Sequence, residues 1–179
     1  MQARTYPFTP ESHVAGGDRQ GRPVLLAPMT EVAADTLAPA IVAVGPWAHY
    51  GFLAAAMRTS LLATGDGAIR YEIRCGGDCA GAAAIRSPWL AGPYLQLLAI
   101  LPEFRGCGVG KVVLDWYEAT ARSVGTRNLW LCVSGFNRDA QRLYRREGYH
   151  PATILPDLMR SGDDELLMRK LLADPSTDL

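Results

Sequence analysis

Residues 95–120, LQLLAILPEFRGCGVGKVVLDWYEAT, run from an apolar stretch through a glycine-rich turn straight into a helical pattern. Few folds accommodate that order. The unbroken apolar run Tyr94–Leu101 suits a central strand buried on both faces, and Pro102 ends it. From Val109 onward, Val112, Val113, Trp116, Tyr117, Ala121 and Val124 recur at helical spacing, and Gly125 suits the left-handed position that closes a helix. Between strand and helix, Gly106, Gly108 and Gly110 allow a tight turn and keep side chains off it. The N–H groups of Gly106 to Gly110 then converge at a helix mouth carrying about half a positive charge. That is an anion site suited to a pyrophosphate.

Two common phosphate signatures do not fit. A P-loop needs a glycine where Arg105 stands and a Ser or Thr where Val112 stands. A dinucleotide fingerprint needs a glycine at the position of Lys111. What is left is Arg105-x-x-Gly108-x-Gly110, set between a strand and an amphipathic helix. A second block, LWLCVSGFNRDAQRLYRREGYHP at residues 129–151, carries a strand, then Asn137, Ala140, Leu143-Tyr144 and Gly148-Tyr149.

In that order the two blocks resemble the GNAT (Gcn5-related N-acetyltransferase) superfamily. The resemblance covers residues 94–151 and is weaker toward the ribosomal-protein-alanine N-acetyltransferases. It implies an α+β fold, with a central mixed, mainly antiparallel sheet, splayed central strands and about four flanking helices. It implies acetyl-CoA as co-substrate and direct transfer of the acetyl group to an amine, on a small molecule or a peptide N-terminus. It implies no metal, and it is compatible with a homodimer.

Residue by residue, the resemblance puts the pantetheine arm against the backbone of Leu98, Ala99 and Ile100. Arg105, Gly106, Cys107, Gly108, Val109, Gly110 and Lys111 would hold the pyrophosphate. Asn137 would meet the pantetheine or the acyl group, and Tyr144 would protonate the departing thiolate. By spacing alone, Tyr144 is equally at home as a core aromatic on the apolar face of its helix. The alanine-acetylating subgroup carries a glutamate on the strand before the Asn137 position, where this chain has Cys132. His49, Glu72 and Asp157 are the candidate substitutes for a base. Trp47, His49 and Tyr50 fall in the region that often lines the acceptor pocket of this fold. Asp163, Asp164 and Glu165 read as a solvated turn or an acidic rim.

The rest of the chain sets the frame. Its 179 residues, 49% apolar and 20% charged, make one ordinary domain. We expect an N-terminal arm over residues 1–20, the N-acetyltransferase domain over 21–172 and a C-terminal tail over 173–179. Lys and Arg number 18, as do Asp and Glu, so no global field draws in nucleic acid. No apolar run is long enough to span a membrane, which points to the cytoplasm. The four cysteines lack the spacing of a metal site and read as free thiols. A CoA-binding module without catalysis is the alternative to an enzyme.

Overall fold

The computed structural model describes residues 7–172. Eight strands form one sheet: β1 (His13–Gly17), β2 (Pro23–Pro28), β3 (Ala68–Cys75), β4 (Asp78–Trp89), β5 (Gly92–Ile100), β6 (Asn128–Ser134), β7 (His150–Arg160) and β8 (Asp163–Leu171). The helices are α1 (Glu31–Val42), α2 (Trp47–Tyr50), α3 (Ala54–Leu62), α4 (Val109–Arg122) and α5 (Arg138–Arg146). The strand order is β1-β2-β3-β4-β5-β6-β8-β7, antiparallel throughout except for the parallel pair β5–β6. The mixed α+β architecture is the one expected.

Local chemistry explains most boundaries. Thr30 Oγ1 accepts from the Ala33 N–H at 3.1 Å and starts α1, which continues through Pro39 without splitting. α2 ends at Tyr50 because Gly51 takes a left-handed φ of 70°, and α3 starts afresh at Ala54. α4 buries Val109, Val113, Leu114, Trp116, Tyr117 and Ala121 and packs on β1, β2 and β5. On β4, Ala80, Ala82, Ala83 and Ala84 are all buried, so small side chains let neighbouring layers close on the strand. At Gly81 the approach is tighter still: a Cβ there would stand 1.9 Å from the Ala99 carbonyl oxygen of β5.

The N-terminal arm differs from the expectation over its described part. His13–Gly17 pair with β2, and Phe8 is buried against Trp116 and Tyr117. The Tyr71 hydroxyl donates to the Thr9 carbonyl at 2.7 Å. A free sheet edge recruits a segment through its backbone, so no side-chain periodicity announces such a strand. Residues 1–6 of the arm and the tail 173–179 lie outside the described residues.

One feature of the sheet positions everything that follows. β5 and β6 pair only at Tyr94↔Trp130 and Leu95↔Leu131. Beyond those residues β5 stays with β4 as far as Gly81↔Ile100, and β6 stays with β8 as far as Ser134↔Glu165. The two strands therefore splay, and a wedge opens in the middle of the sheet.

Candidate active site

The wedge is a cavity of about 200 Å³. Gln96, Leu97 and Leu98 of β5 form one wall, and Cys132, Val133 and Ser134 of β6 the other. α5 contributes Ala140 and Tyr144, with Asn137 at its cap. Pro46, Trp47, Tyr50 and Phe52 close it from the α2 side, and Leu158, Met159 and Glu165 from β7 and β8.

The glycine turn follows the splayed end of β5 and leads into α4. Gly106 and Gly108 take φ values of 75° and 93°, which L-residues rarely adopt, and the space where a Gly106 Cβ would sit is open. The first backbone donor into α4 is Val112 N–H, to the Gly108 carbonyl at 3.1 Å. Among the described residues, the N–H groups of Gly106, Cys107, Gly108, Val109, Gly110 and Lys111 donate to no protein acceptor. Six consecutive orphan donors at the mouth of a 14-residue helix make a cradle for an anion. A second loop braces the turn: Arg19 N–H donates to the Cys107 carbonyl at 2.9 Å, and its guanidinium to the Gly106 carbonyl at 3.1 Å. Arg105 Nε donates to the Ile100 carbonyl at 3.0 Å, joining the turn to the end of β5. The Lys111 ammonium is occupied by Asp115 at 2.7 Å and Glu147 at 3.4 Å, so only its N–H faces the cradle's task.

Along the splay, Leu98 lines the cavity, whereas Ala99 is buried in the sheet and Ile100 lies beside Gly110. Asn137 caps α5, its Oδ1 accepting from the Ala140 N–H at 3.3 Å. Gln141 fixes the loop before it by donating to the Ser134 and Gly135 carbonyls at 3.0 and 2.9 Å. Tyr144 is only 7% exposed yet reaches the cavity. Burial, followed by the nearby Cys132 thiol, pushes its phenol up to about 12. It therefore remains protonated at neutral pH.

The base candidates read from sequence do not line the cavity. Glu72 faces Arg74 on β3 at 3.8 Å. Asp157 accepts from the Gly162 N–H at 2.6 Å and shapes the β7–β8 turn. His49 pairs with Asp163 at 2.8 Å on the outer side of α2. The carboxylate that does line it is Glu165, 6% exposed and no part of a solvated turn. The Tyr50 hydroxyl donates to Glu165 Oε1 and lies 3.0 Å from Ser134 Oγ. A phenol has one hydrogen, so with that given to the carboxylate, Ser134 donates to the phenol oxygen. Burial first, then the hydrogen bond to Glu165, pushes Tyr50 up to about 12. The Cys132 thiol lies 3.8 Å from Glu165 Oε2, and burial followed by the Glu165 charge pushes it up to about 12. The acidic run Asp163–Glu165 was visible in the sequence as a solvated turn or an acidic rim, but nothing local showed that Glu165 alone is buried in the cavity. Its position depends on pairing with Ser134, 31 residues away.

Comparisons with known proteins agree with this architecture. The model of the acetyltransferase (GNAT) family matches residues 41–149, more than half of the chain. A streptothricin acetyltransferase from Streptomyces lavendulae is 36% identical over 74 residues, covering 41% of this chain and 39% of that protein. An aminoalkylphosphonate N-acetyltransferase from Salmonella typhimurium is 42% identical over 55 residues, covering 31% of this chain and 36% of that protein. The chain thus spans less than two fifths of the length of these curated relatives. The crystal structure of the ribosomal-protein-S18-alanine N-acetyltransferase from Escherichia coli superposes with a TM-score of 0.66 at 18% identity, over 87% of this chain and 98% of that one, which is a likeness of fold. Among the described residues, no helix is long and apolar enough to cross a membrane. With the glycine cradle, the splayed strands and the family match in agreement, the chain belongs to the acetyltransferase (GNAT) family.

Proposed function

We propose that the chain transfers an acetyl group from acetyl-CoA directly to the primary amine of a small molecule, both substrates being bound at once. The observation that carries this reading is the row of six orphan N–H groups that follows directly on β5, the strand that splays from β6. The residues present fit the carrier. Gly106 to Lys111 would hold its pyrophosphate through backbone N–H groups, with Arg105 beside them. The uncovered edge of β5 at Leu98 to Ile100 would pair with its amide-bearing arm, and Asn137 would flank the arm's end. Acetyl-CoA supplies an acyl group activated as a thioester. The relatives named for streptothricin and aminoalkylphosphonate favour a small-molecule amine over a peptide N-terminus.

Tyr144 serves the leaving group. With its phenol near 12, full proton transfer to a thiolate of ordinary affinity, about 8.5, is uphill. Its contribution is therefore a hydrogen bond to the charge that grows on sulfur, made in a dry site where such a bond is strong. The proton that ends on sulfur comes from the acylated nitrogen. No covalent acyl-enzyme is needed, because the amine attacks the carbonyl itself.

The test is Tyr144→Phe, assayed with acetyl-CoA and a panel of primary amines. The expected result is a fall in kcat of about 100-fold with carrier affinity unchanged by calorimetry, the size seen when one donor to a developing charge is removed. A chain that binds acetyl-CoA without turning over any amine, before or after the change, is the regulatory module instead.

A further inference from the structure

The cavity has an unusual charge balance. Of the side chains lining it, Glu165 is the only formally charged one, and none is a lysine or arginine. Among the described residues, no cation lies within ion-pair distance of this carboxylate. It is held instead by neutral groups: the Tyr50 hydroxyl from α2, itself supported by Ser134 of β6, and the Cys132 thiol of β6. Burying a carboxylate without a counter-charge is costly, and two protein donors offset only part of that cost. A ligand cation would supply the rest. The remaining lining is apolar or aromatic, with Trp47, Phe52, Leu158 and Met159 on the acceptor side.

We propose that Glu165 receives the ammonium group of the acceptor and takes its proton, which restricts the substrate to alkylammonium compounds with no anionic group near the amine. This rests on the acetyl-transfer reading. An amine of the lysine type is protonated at pH 7, and only roughly one molecule in 2,500 is neutral. Glu165 accepts one proton from R–NH3+, leaving R–NH2. The nitrogen lone pair forms the N–C bond to the acetyl carbonyl, and the C–S bond breaks. A second proton leaves the nitrogen and ends on the thiol sulfur. The products are the N-acetyl amine, free CoA and one proton, which Glu165 returns to solvent. The lining has nothing to neutralise a phosphonate or carboxylate next to the amine, so such acceptors meet Glu165 as a like charge.

Several other titratable or charged groups surround Glu165. Tyr50 and Cys132 touch it, and Tyr94 of β5 and Tyr144 of α5 line the same cavity. Asp163, two residues away on β8, is paired with His49 of α2 and stands opposite Arg160 of β7. Tyr50, Cys132 and Tyr144 are held near 12 and Tyr94 is also raised by burial, so all four keep their protons in the neutral range.

The experiment measures kcat/KM for n-butylamine and for 3-aminopropylphosphonate with the wild-type chain and with Glu165→Gln, at pH 7 and at pH 10. The wild type should prefer butylamine by at least about 100-fold at pH 7. Glu165→Gln should lose about 100-fold or more toward butylamine at pH 7, and less than about 10-fold at pH 10, where solution already supplies neutral amine. Equal use of the phosphonate, or a Gln variant with either no loss or the same loss at both pH values, overturns the proposal. Calorimetry with acetyl-CoA separates the two readings. If carrier binding is absent in the wild type, the acetyl-transfer reading fails. If carrier binding is intact in both forms but the pH pattern is absent, only the role of Glu165 fails. Because Gln keeps the shape of Glu and still accepts from Tyr50, the variant should fold. Glu165→Asp, with the charge retained, should recover part of the loss at pH 7.

Discussion

Cys132 shows how much a single residue's role depends on its neighbours. On β6 its thiol stands 3.8 Å from the Glu165 carboxylate, delivered by the adjacent strand β8. The thiol takes no part as a nucleophile. Burial and the Glu165 charge hold it near 12, so at pH 8 only about one molecule in ten thousand carries the thiolate. Iodoacetamide at pH 8 should therefore leave Cys132 unmodified in the folded chain and label it after denaturation, as read by peptide mass mapping. Rapid labelling of the native protein would contradict this account of its surroundings. The same shift has a stability consequence with a definite sign. Above about pH 9 the unfolded chain releases this proton while the folded chain retains it, so its contribution to stability is lost as pH rises toward 12.

At the scale of elements, the glycine turn and α4 act as one unit, and its geometry makes Gly108 hard to replace. Its φ of 93° strains any L-residue, and a Cβ would lie 3.1 Å from Arg19 Cγ in the bracing loop. Gly108→Val should cost about 1–3 kcal/mol of stability and raise the Kd for acetyl-CoA at least about 10-fold, measured by denaturant unfolding and calorimetry. This unit was legible in the sequence because its information is local: an apolar strand, three glycines and a helical stripe follow one another from Tyr94 to Val124. The Asn137 cap and α5 were legible for the same reason. The acceptor side was not. Trp47 and Tyr50 could be pointed to as a region, but the left-handed Gly51 ends α2 directly after Tyr50, and this end sets where Tyr50 meets Glu165. Phe52, Leu158, Met159 and Glu165 reach the cavity from three separate segments, and only strand pairing brings them together. β1 escaped notice because it is specified by a neighbour's free edge, not by its own side chains.

Viewed whole, the molecule is two antiparallel half-sheets, β1-β2-β3-β4-β5 and β6-β8-β7, joined in the sheet plane by two residue pairs. A continuous ladder would have closed the wedge and filled the site with backbone. The chain instead leaves an uncovered edge on β5 and spans the gap through α4 and α5, so a strand-like ligand can complete what the protein omits. Such a ligand binds only the folded sheet, and mass action then converts binding into stability. At 100 times its Kd, acetyl-CoA should add about 2.7 kcal/mol, or roughly 5–10 °C in Tm for a chain of this size. The variants divide this effect by site. Gly108→Val should lose most of the shift, because the cradle for the pyrophosphate is damaged. Glu165→Gln should keep it in full, because on the proposed reading that residue serves the acceptor and not the carrier. A scanning calorimetry series on the three proteins, with and without acetyl-CoA, tests this division. A shift lost equally in both variants would mean that cradle and acceptor pocket are not separable parts of the splay.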